Sequence, residues 1–135
     1  MEVAANAAHA QAIVSWSKER LPEDIPALIL FHNNRIPPKL SRLINKDLKK
    51  TKTGFFDTHP CFRDRVDNVR NEDAAGIFHL EEPATVLLND YPKLCRLVTK
   101  DFYSQMLGKN LKRATLISVQ EAVALEGEMK EAAEK

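Results

Sequence analysis

Apolar side chains recur at intervals of three and four residues along most of this chain, and proline or glycine interrupts the successive runs. The clearest run places Tyr91, Leu94, Cys95, Val98 and Phe102 on one face of a helix. Such spacing is typical of an amphipathic helix that buries one face in a core. Only four glycines occur, and the chain is rich in Ala, Leu, Glu and Lys, which favour helix. The sequence therefore predicts an all-α fold of about six helices, with at most one short extended segment.

The boundaries of the helices follow from proline, glycine and capping residues. Ser118 and Glu121 have the spacing of a capping box, which predicts the start of the last helix. The expected helices are residues 2–19, 22–33, 38–50, 60–76, 91–107 and 119–135, with a single helical turn at 84–88 and the extended segment at 77–80.

Each expected helix has an expected buried face, in addition to the run at 91–102. The residues assigned to the core of the first, second and fourth helices are Val3, Ala7, Ala10, Val14, Ile25, Leu28, Ile29, Phe62, Val66 and Val69. Three regions follow: N-terminal helices at 1–53, a central segment with core helices at 54–110, and a capped helix with a polar tail at 111–135. At 135 residues, these regions suit one compact domain.

The overall charge does not favour a nucleic-acid partner. Twenty basic and nineteen acidic side chains give a formal net charge of +1. A local basic stripe on the third helix offers a surface for phosphates or an anionic bilayer, and it consists of Lys39, Arg42, Lys46 and Lys49. The favoured interpretation is the solvated face of an amphipathic helix, because no aromatic residues are interleaved with these cations.

Cys61 and Cys95 do not have the spacing of a metal clip. Two buried free thiols are the favoured interpretation, and a disulfide in an oxidising compartment is the alternative. No apolar run approaches the roughly 18–20 residues that a membrane helix needs, so we expect a soluble segment.

The residues required for several common chemistries are missing. The histidines are His9, His32, His59 and His79, no two closer than twenty residues, so no His-Glu-x-x-His metal helix exists and no metal site is expected. Four scattered glycines exclude a phosphate-binding loop. A nucleophile pair of Cys61 with His59 is conceivable from spacing, but a structural thiol at a helix start is favoured. This chain alone is therefore not expected to be an enzyme.

One segment carries a family resemblance. The residues that form its pattern are Thr58, His59, Pro60, Arg65 and Val66, with four variable residues between Pro60 and Arg65. This pattern resembles a motif of the HtpX and CAAX-prenyl endopeptidase family, which are zinc metallopeptidases and commonly membrane-anchored. The likeness extends over about residues 20–105 and is strongest over 54–103, where Gly54-Phe55-Phe56-Asp57 and the stretch from Phe78 to Thr85 also resemble bacterial members.

The resemblance implies that the chain is the C-terminal segment of such a peptidase and helps to shape or support its active-site cleft. His59 would support the zinc site or stabilise an oxyanion in the intact parent. Thr58, Pro60 and Arg65 would be structural, with Arg65 in an ion pair. Zinc would be held by the parent's upstream residues, and the remainder of the peptidase domain would be the partner. The parent would be membrane-associated, with this region cytoplasmic, and membrane contact would occur only through it.

Read from the residues alone, Thr58 or Asp57 is expected to cap the fourth helix and Pro60 to set its first turn. A histidine there is then an ordinary hydrogen-bonded surface residue. The alternative function is accordingly a free-standing helical protein-interaction module without enzymatic activity. The sequence leaves the oligomeric state open.

Overall fold

The protein is described by a computed structural model for residues 1–72 and 81–133. The described residues are mainly helical, which confirms the predicted fold class. The α-helices are α1 (Glu2–Trp16), α2 (Ile25–Asn34), α3 (Pro38–Lys50), α4 (Phe62–Glu72), α5 (Tyr91–Leu107) and α6 (Val119–Ala133). Two 3-10 helices, Ala84–Leu87 and Gly108–Arg113, flank α5, and two three-residue strands are β1 (Arg20–Pro22) and β2 (Thr115–Ile117).

The chain divides into two compact units. Unit 1 combines Met1–Arg35 with Pro83–Lys135, and unit 2 is Ile36–Glu82. The three successive ranges expected from the sequence do not coincide with this division, because the first and last parts of the chain share one unit.

The core of unit 1 forms where α1 packs on α2, α6 and β1, and where α2 packs on α5. Its fully buried side chains include Leu28 of α2 and Ala122 of α6. The strands pair in parallel, with Leu21 opposite Leu116, and the pair continues as the Glu23 amide donates to the Ile117 carbonyl at 2.8 Å. This pairing ties the start of α2 to the start of α6.

Side-chain caps fix the starts of α2, α5 and α6 in unit 1. The Asp24 carboxylate accepts from the Ala27 amide at 2.8 Å and starts α2, while Asp90 does the same for the Lys93 amide at 3.2 Å and starts α5. At α6, the Ser118 amide donates to the Glu121 carboxylate and the Glu121 amide donates to the Ser118 hydroxyl, which confirms the predicted capping box. Gly108 closes α5 as expected, with a positive φ of 52° that favours glycine.

The predicted buried face of α1 is wrong. Val3 and Val14 are exposed, and the buried residues of α1 are Ala4, Ala8, Gln11, Ala12 and Ser15. Apart from Glu2 the helix has no charged residue, so its hydrophobic pattern barely favours one face. Small side chains decide the packing instead, because they let α2, α6 and β1 approach closely.

Two further expectations about unit 1 need correction. Pro22 belongs to β1 rather than to the second helix, which starts at Ile25. On α5, only Cys95 of the predicted core run is buried, and the other members are 38–55% exposed: Tyr91, Leu94, Val98 and Phe102. The face of α5 that packs inward is centred on Thr99 and Tyr103, whose hydroxyls bond to the β1–α2 segment.

In unit 2, α3 has the predicted bounds, but α4 differs from its prediction. It begins at Phe62 rather than near Pro60, and Phe62 and Val69 are exposed rather than buried. Neither α3 nor α4 contains a buried residue. The expected end of the fourth helix at Gly76 and the extended segment at 77–80 lie outside the described residues.

Candidate functional site

The loop before α4, residues 51–61, is held by one carboxylate. Asp64, in the first turn of α4, accepts hydrogen bonds from the amide of Thr53, at 3.3 Å, and from its hydroxyl. The Thr53 hydroxyl oxygen in turn accepts from the Cys61 amide at 2.9 Å. Asp64 therefore joins both ends of the loop to the start of the helix.

These contacts lower the pKa of Asp64 from 3.8 to about 2. The hydrogen bond from the Thr53 hydroxyl is the largest cause of the lowered pKa, followed by a hydrogen bond from the Cys61 side chain. Arg63 also contributes through an ion pair at 3.2 Å. The carboxylate is thus ionised at neutral pH, and the hydrogen bonds that it accepts hold the loop.

A tight turn inside this loop exposes two aromatic rings. The Asp57 carboxylate accepts from the Gly54 amide at 2.6 Å, and the Asp57 amide donates to the Gly54 carbonyl at 3.2 Å. Between them stand Phe55 and Phe56, which are 96% and 93% exposed and meet edge to face at 5.4 Å between centroids. The turn thus holds two large apolar side chains in solvent beside the Thr-His-Pro segment.

His59 lies on the exposed stretch between this turn and α4, as do Thr58 and Pro60. The expected cap at Thr58 or Asp57 is wrong, since Asp57 closes the turn at Gly54 and the Cys61 carbonyl accepts the first helical bond from Arg65 at 3.0 Å. Among the described residues, none forms a hydrogen bond with the His59 ring. The sequence places this histidine beside the turn, without a hydrogen bond from the described residues to orient its ring.

The Cys61 thiol forms a hydrogen bond with a backbone carbonyl rather than with His59, the other member of the conceivable nucleophile pair. It donates to the Thr51 carbonyl, with 3.2 Å between sulfur and oxygen. Cys61 is half-buried and Cys95 is buried, and both are free thiols. The loop therefore uses its thiol as a structural donor.

Arg65 is exposed on α4, and no carboxylate of the described ranges lies within ion-pair distance of it. It lines a shallow surface hollow of about 340 Å³ together with Phe62, Val66, Val69 and Arg70. The ion pair at this point of the chain is formed by its neighbours Arg63 and Asp64 instead. Arg65 thus contributes to a mixed apolar and basic surface.

The four cations of the basic stripe, Lys39, Arg42, Lys46 and Lys49, are all exposed on α3. The leucines of the same helix, Leu40, Leu43 and Leu48, are exposed as well, and Ile44 is half-buried. α3 is thus amphipathic without a buried residue of its own.

Sequence reasoning missed an apolar groove in unit 1. Its volume is about 260 Å³, and α1 and α5 form its walls with Leu21 and Ile25 between them. The sequence signal for it is the row of small residues Ala5, Ala8 and Ala12, which leaves space opposite the large side chains of α5. Spacing alone does not show which helix faces this row, so the groove becomes visible only with the fold.

In residues 1–72 and 81–133, no three His, Cys, Asp or Glu side chains come together as a metal-binding group. No helix in the same ranges is both long and apolar enough to cross a membrane. Comparison with protein-family models, curated proteins and solved structures finds no match to this chain.

Proposed function

We propose that this chain is a non-catalytic helical segment that docks on another polypeptide through the surface around its Thr-His-Pro segment. The observation that carries the proposal is the pair Phe55 and Phe56, held almost fully in solvent by a hydrogen-bonded turn. Exposed large apolar side chains that are fixed in place are typical of contact surfaces. Burying one phenylalanine fully stabilises a complex by about 1.5–3 kcal/mol, which makes the pair a strong anchor.

The partner that the family resemblance supports is the remainder of a zinc metallopeptidase of the HtpX and CAAX-prenyl endopeptidase type. In that setting the parent supplies the zinc ligands and the membrane attachment, and this segment lies on the cytoplasmic side. His59, three residues after Phe56, would reach the edge of the active-site cleft when the two phenylalanines dock. There its imidazole would support the zinc site or donate to an oxyanion.

The first experiment is to detect the native product with an antibody against this chain in fractionated cells. A product far larger than 15.3 kDa in the membrane fraction supports a peptidase parent, whereas a product near 15.3 kDa outside that fraction contradicts it. In the larger product, His59→Ala is expected to lower proteolysis, while Asn45→Ala, at an exposed residue of α3, is not. Equal activity of the two variants would remove His59 from the proposal.

The docking surface has its own test. Phe55→Ser with Phe56→Ser is expected to weaken association with the partner polypeptide without changing the helical content of this chain. Val69→Ser, at a residue 75% exposed on α4, is the matched control for losing an exposed apolar side chain. If both changes weaken association equally, the turn is not the anchor.

A free-standing protein-interaction module is the second candidate, and a separate observation favours it. The exposed apolar residues of α5, which include Leu97 and Val98, lie in unit 1 and need no peptidase domain to act as a contact surface. This candidate is favoured if the native product is close to 15.3 kDa and Leu97→Ser with Val98→Ser disrupts association while the Phe55 and Phe56 changes do not.

A further inference from the structure

The groove of unit 1 has two defined walls, each formed by one helix. Ala5, Ala8 and Ala12 of α1 form one wall, and Phe102 and Met106 of α5 form the other. Ala8 and Ala12 are buried while Met106 is 63% exposed, so the groove is deep at the two alanines and open to solvent at Met106. A ligand can therefore enter it from solvent.

The shape of the groove is elongated. Its α1 side extends from Ala5 to Trp16, about 16 Å at 1.5 Å per residue, whereas a sphere of 260 Å³ would be about 8 Å across. A dry cavity of about 150 Å³ holds one benzene molecule, so by the same proportion this groove holds roughly ten carbon atoms. A single flexible chain of that size fits an elongated space better than a fused ring system does.

The lining of the groove disfavours a charged group on a ligand except at one place. None of the lining residues is acidic, and the phenol of Tyr103 is already bonded to the Pro22 carbonyl at 3.1 Å. His9, exposed at the rim, is a lining side chain whose imidazole N–H can donate a hydrogen bond to a carboxylate. An occupant with an anionic end can place it at His9 and leave its hydrocarbon part between the helices.

We propose that this groove binds a free medium-chain fatty acid, with the hydrocarbon chain between α1 and α5 and the carboxylate at His9. The binding is reversible and involves no covalent step. It concerns a part of unit 1 that the proposed docking surface in unit 2 does not use, so it goes beyond that function and can be tested separately from it.

The chain contains its own probe for this site. Trp16 is the only tryptophan and lies in the lining of the groove, so its fluorescence reports occupancy. We expect decanoate, added as monomer to the full chain, to change Trp16 fluorescence saturably with one site per chain. Decanol, which has the same chain without the carboxylate, is expected to bind more weakly, and His9→Gln is expected to reduce decanoate binding to the level of decanol.

Two alanine substitutions on the same helix give a matched pair. Ala5→Leu fills the groove with the equivalent of about three methylene groups and is expected to raise the Kd for decanoate about tenfold or more. Ala10→Leu makes the same change on the exposed side of α1, outside the lining, and is expected to leave the Kd unchanged. If Ala5→Leu fails to fold, Ile13→Phe serves instead, because Ile13 is a rim residue that is 58% exposed.

Several results would overturn the proposal. They are the absence of a saturable response to decanoate, equal affinity of the Ala5→Leu and Ala10→Leu variants, and equal affinity for decanoate and decanol. A Trp16 response to neutral phosphatidylcholine vesicles but not to monomeric decanoate would assign the groove to a bilayer. A change in Trp16 fluorescence with the concentration of this chain alone would assign the groove to a second copy of this chain.

Discussion

Asp64 is the residue on which the loop before α4 depends, because it accepts both donors of Thr53 and thereby fixes the position of Cys61. Its folded-state pKa, about 2, lies below the ordinary 3.8. A depressed carboxyl pKa contributes stability that is fully present above pH 3.8 and is lost as pH falls through about 2. We expect the amide NMR signals of Thr53 and Cys61 to stay constant from pH 7 to about 4 and to move as pH approaches 2. Movement centred near pH 4 would contradict this assignment.

The Thr53 hydroxyl is the largest cause of this shift, and a substitution of nearly the same size removes it together with the acceptor of the Cys61 amide. Thr53→Val replaces the hydroxyl by a methyl group, so we expect the pKa of Asp64 to rise towards 3.8. The carboxyl carbon shift of Asp64 during an acid titration measures this directly. Thr58→Val, the same change outside the hydrogen-bond network, is the control, and an equal effect of both variants would exclude the Thr53 hydroxyl as the main cause.

Tyr103 is buried, with only 3% of its surface exposed, and its hydroxyl donates to the Pro22 carbonyl. Burial also raises the pKa of the phenol, so the hydroxyl stays protonated and remains a donor over the ordinary pH range. We expect Tyr103→Phe to lower the free energy of unfolding of unit 1 by about 1 kcal/mol, since a hydrogen bond to a buried carbonyl is lost.

Urea unfolding followed by the fluorescence of Trp16 measures the effect of Tyr103→Phe. Tyr91→Phe, at the other tyrosine of the chain, is the matched control because its ring is 38% exposed. A loss for Tyr91→Phe as large as that for Tyr103→Phe would show that burial of the hydroxyl is not the cause.

At the scale of helices and strands, local signals in the sequence were sufficient for the bounds of α3 and α5. Pro37-Pro38 and the polar run after Lys50 delimit α3, and Asp90 with Gly108 delimits α5. These signals act through backbone hydrogen bonds and dihedral angles within a few residues, so they can be read without the fold.

The buried faces were harder to predict because they depend on distant partners. α1 has apolar or small residues on every side, and α5 has apolar residues around more than half of its circumference, so periodicity does not select one side. Parallel pairing of β1 with β2 joins residues 95 positions apart, for example Arg20 with Thr115, and three-residue strands leave no alternating pattern. The same contrast between local signals and contacts made by the fold holds for the candidate site. The Thr-His-Pro segment was visible in the sequence, whereas the Thr53–Asp64 contact and the groove were not.

The Asp24 cap is the local signal on which α2 depends most directly. Asp24→Ala removes the acceptor for the Ala27 amide, and we expect the free energy of unfolding to fall by about 1 kcal/mol. Asp101→Ala is the control, because among the residues that the structure describes Asp101 accepts only from the exposed side chain of Gln105 within α5. Thermal unfolding of both variants measures the difference, and a larger loss for Asp101→Ala would contradict the role of the cap.

At the scale of the whole molecule, the two units differ in how much they bury. The buried residues that the structure describes, Leu28, Cys95, Thr99 and Tyr103 among them, lie in unit 1, whereas α3 and α4 of unit 2 contain none. Segments with few buried apolar contacts open at lower free energy than a packed core does. We therefore expect backbone amides of α3 and α4 to exchange with solvent deuterium much faster than those of α2 and α5.

A substitution in the core tests whether the units open separately. Leu28 is fully buried, so Leu28→Ala is expected to cost about 2–5 kcal/mol and to reduce the protection of α1, α2 and α5 together. The exchange of α3 and α4 is expected to stay unchanged, because their amides open locally before unit 1 unfolds. Exposed Leu43→Ala on α3 is the matched control and should leave unit 1 unaffected. If Leu28→Ala accelerates exchange equally throughout the described helices, the chain unfolds as one cooperative body, and its exposed apolar surfaces then belong to a single folding unit.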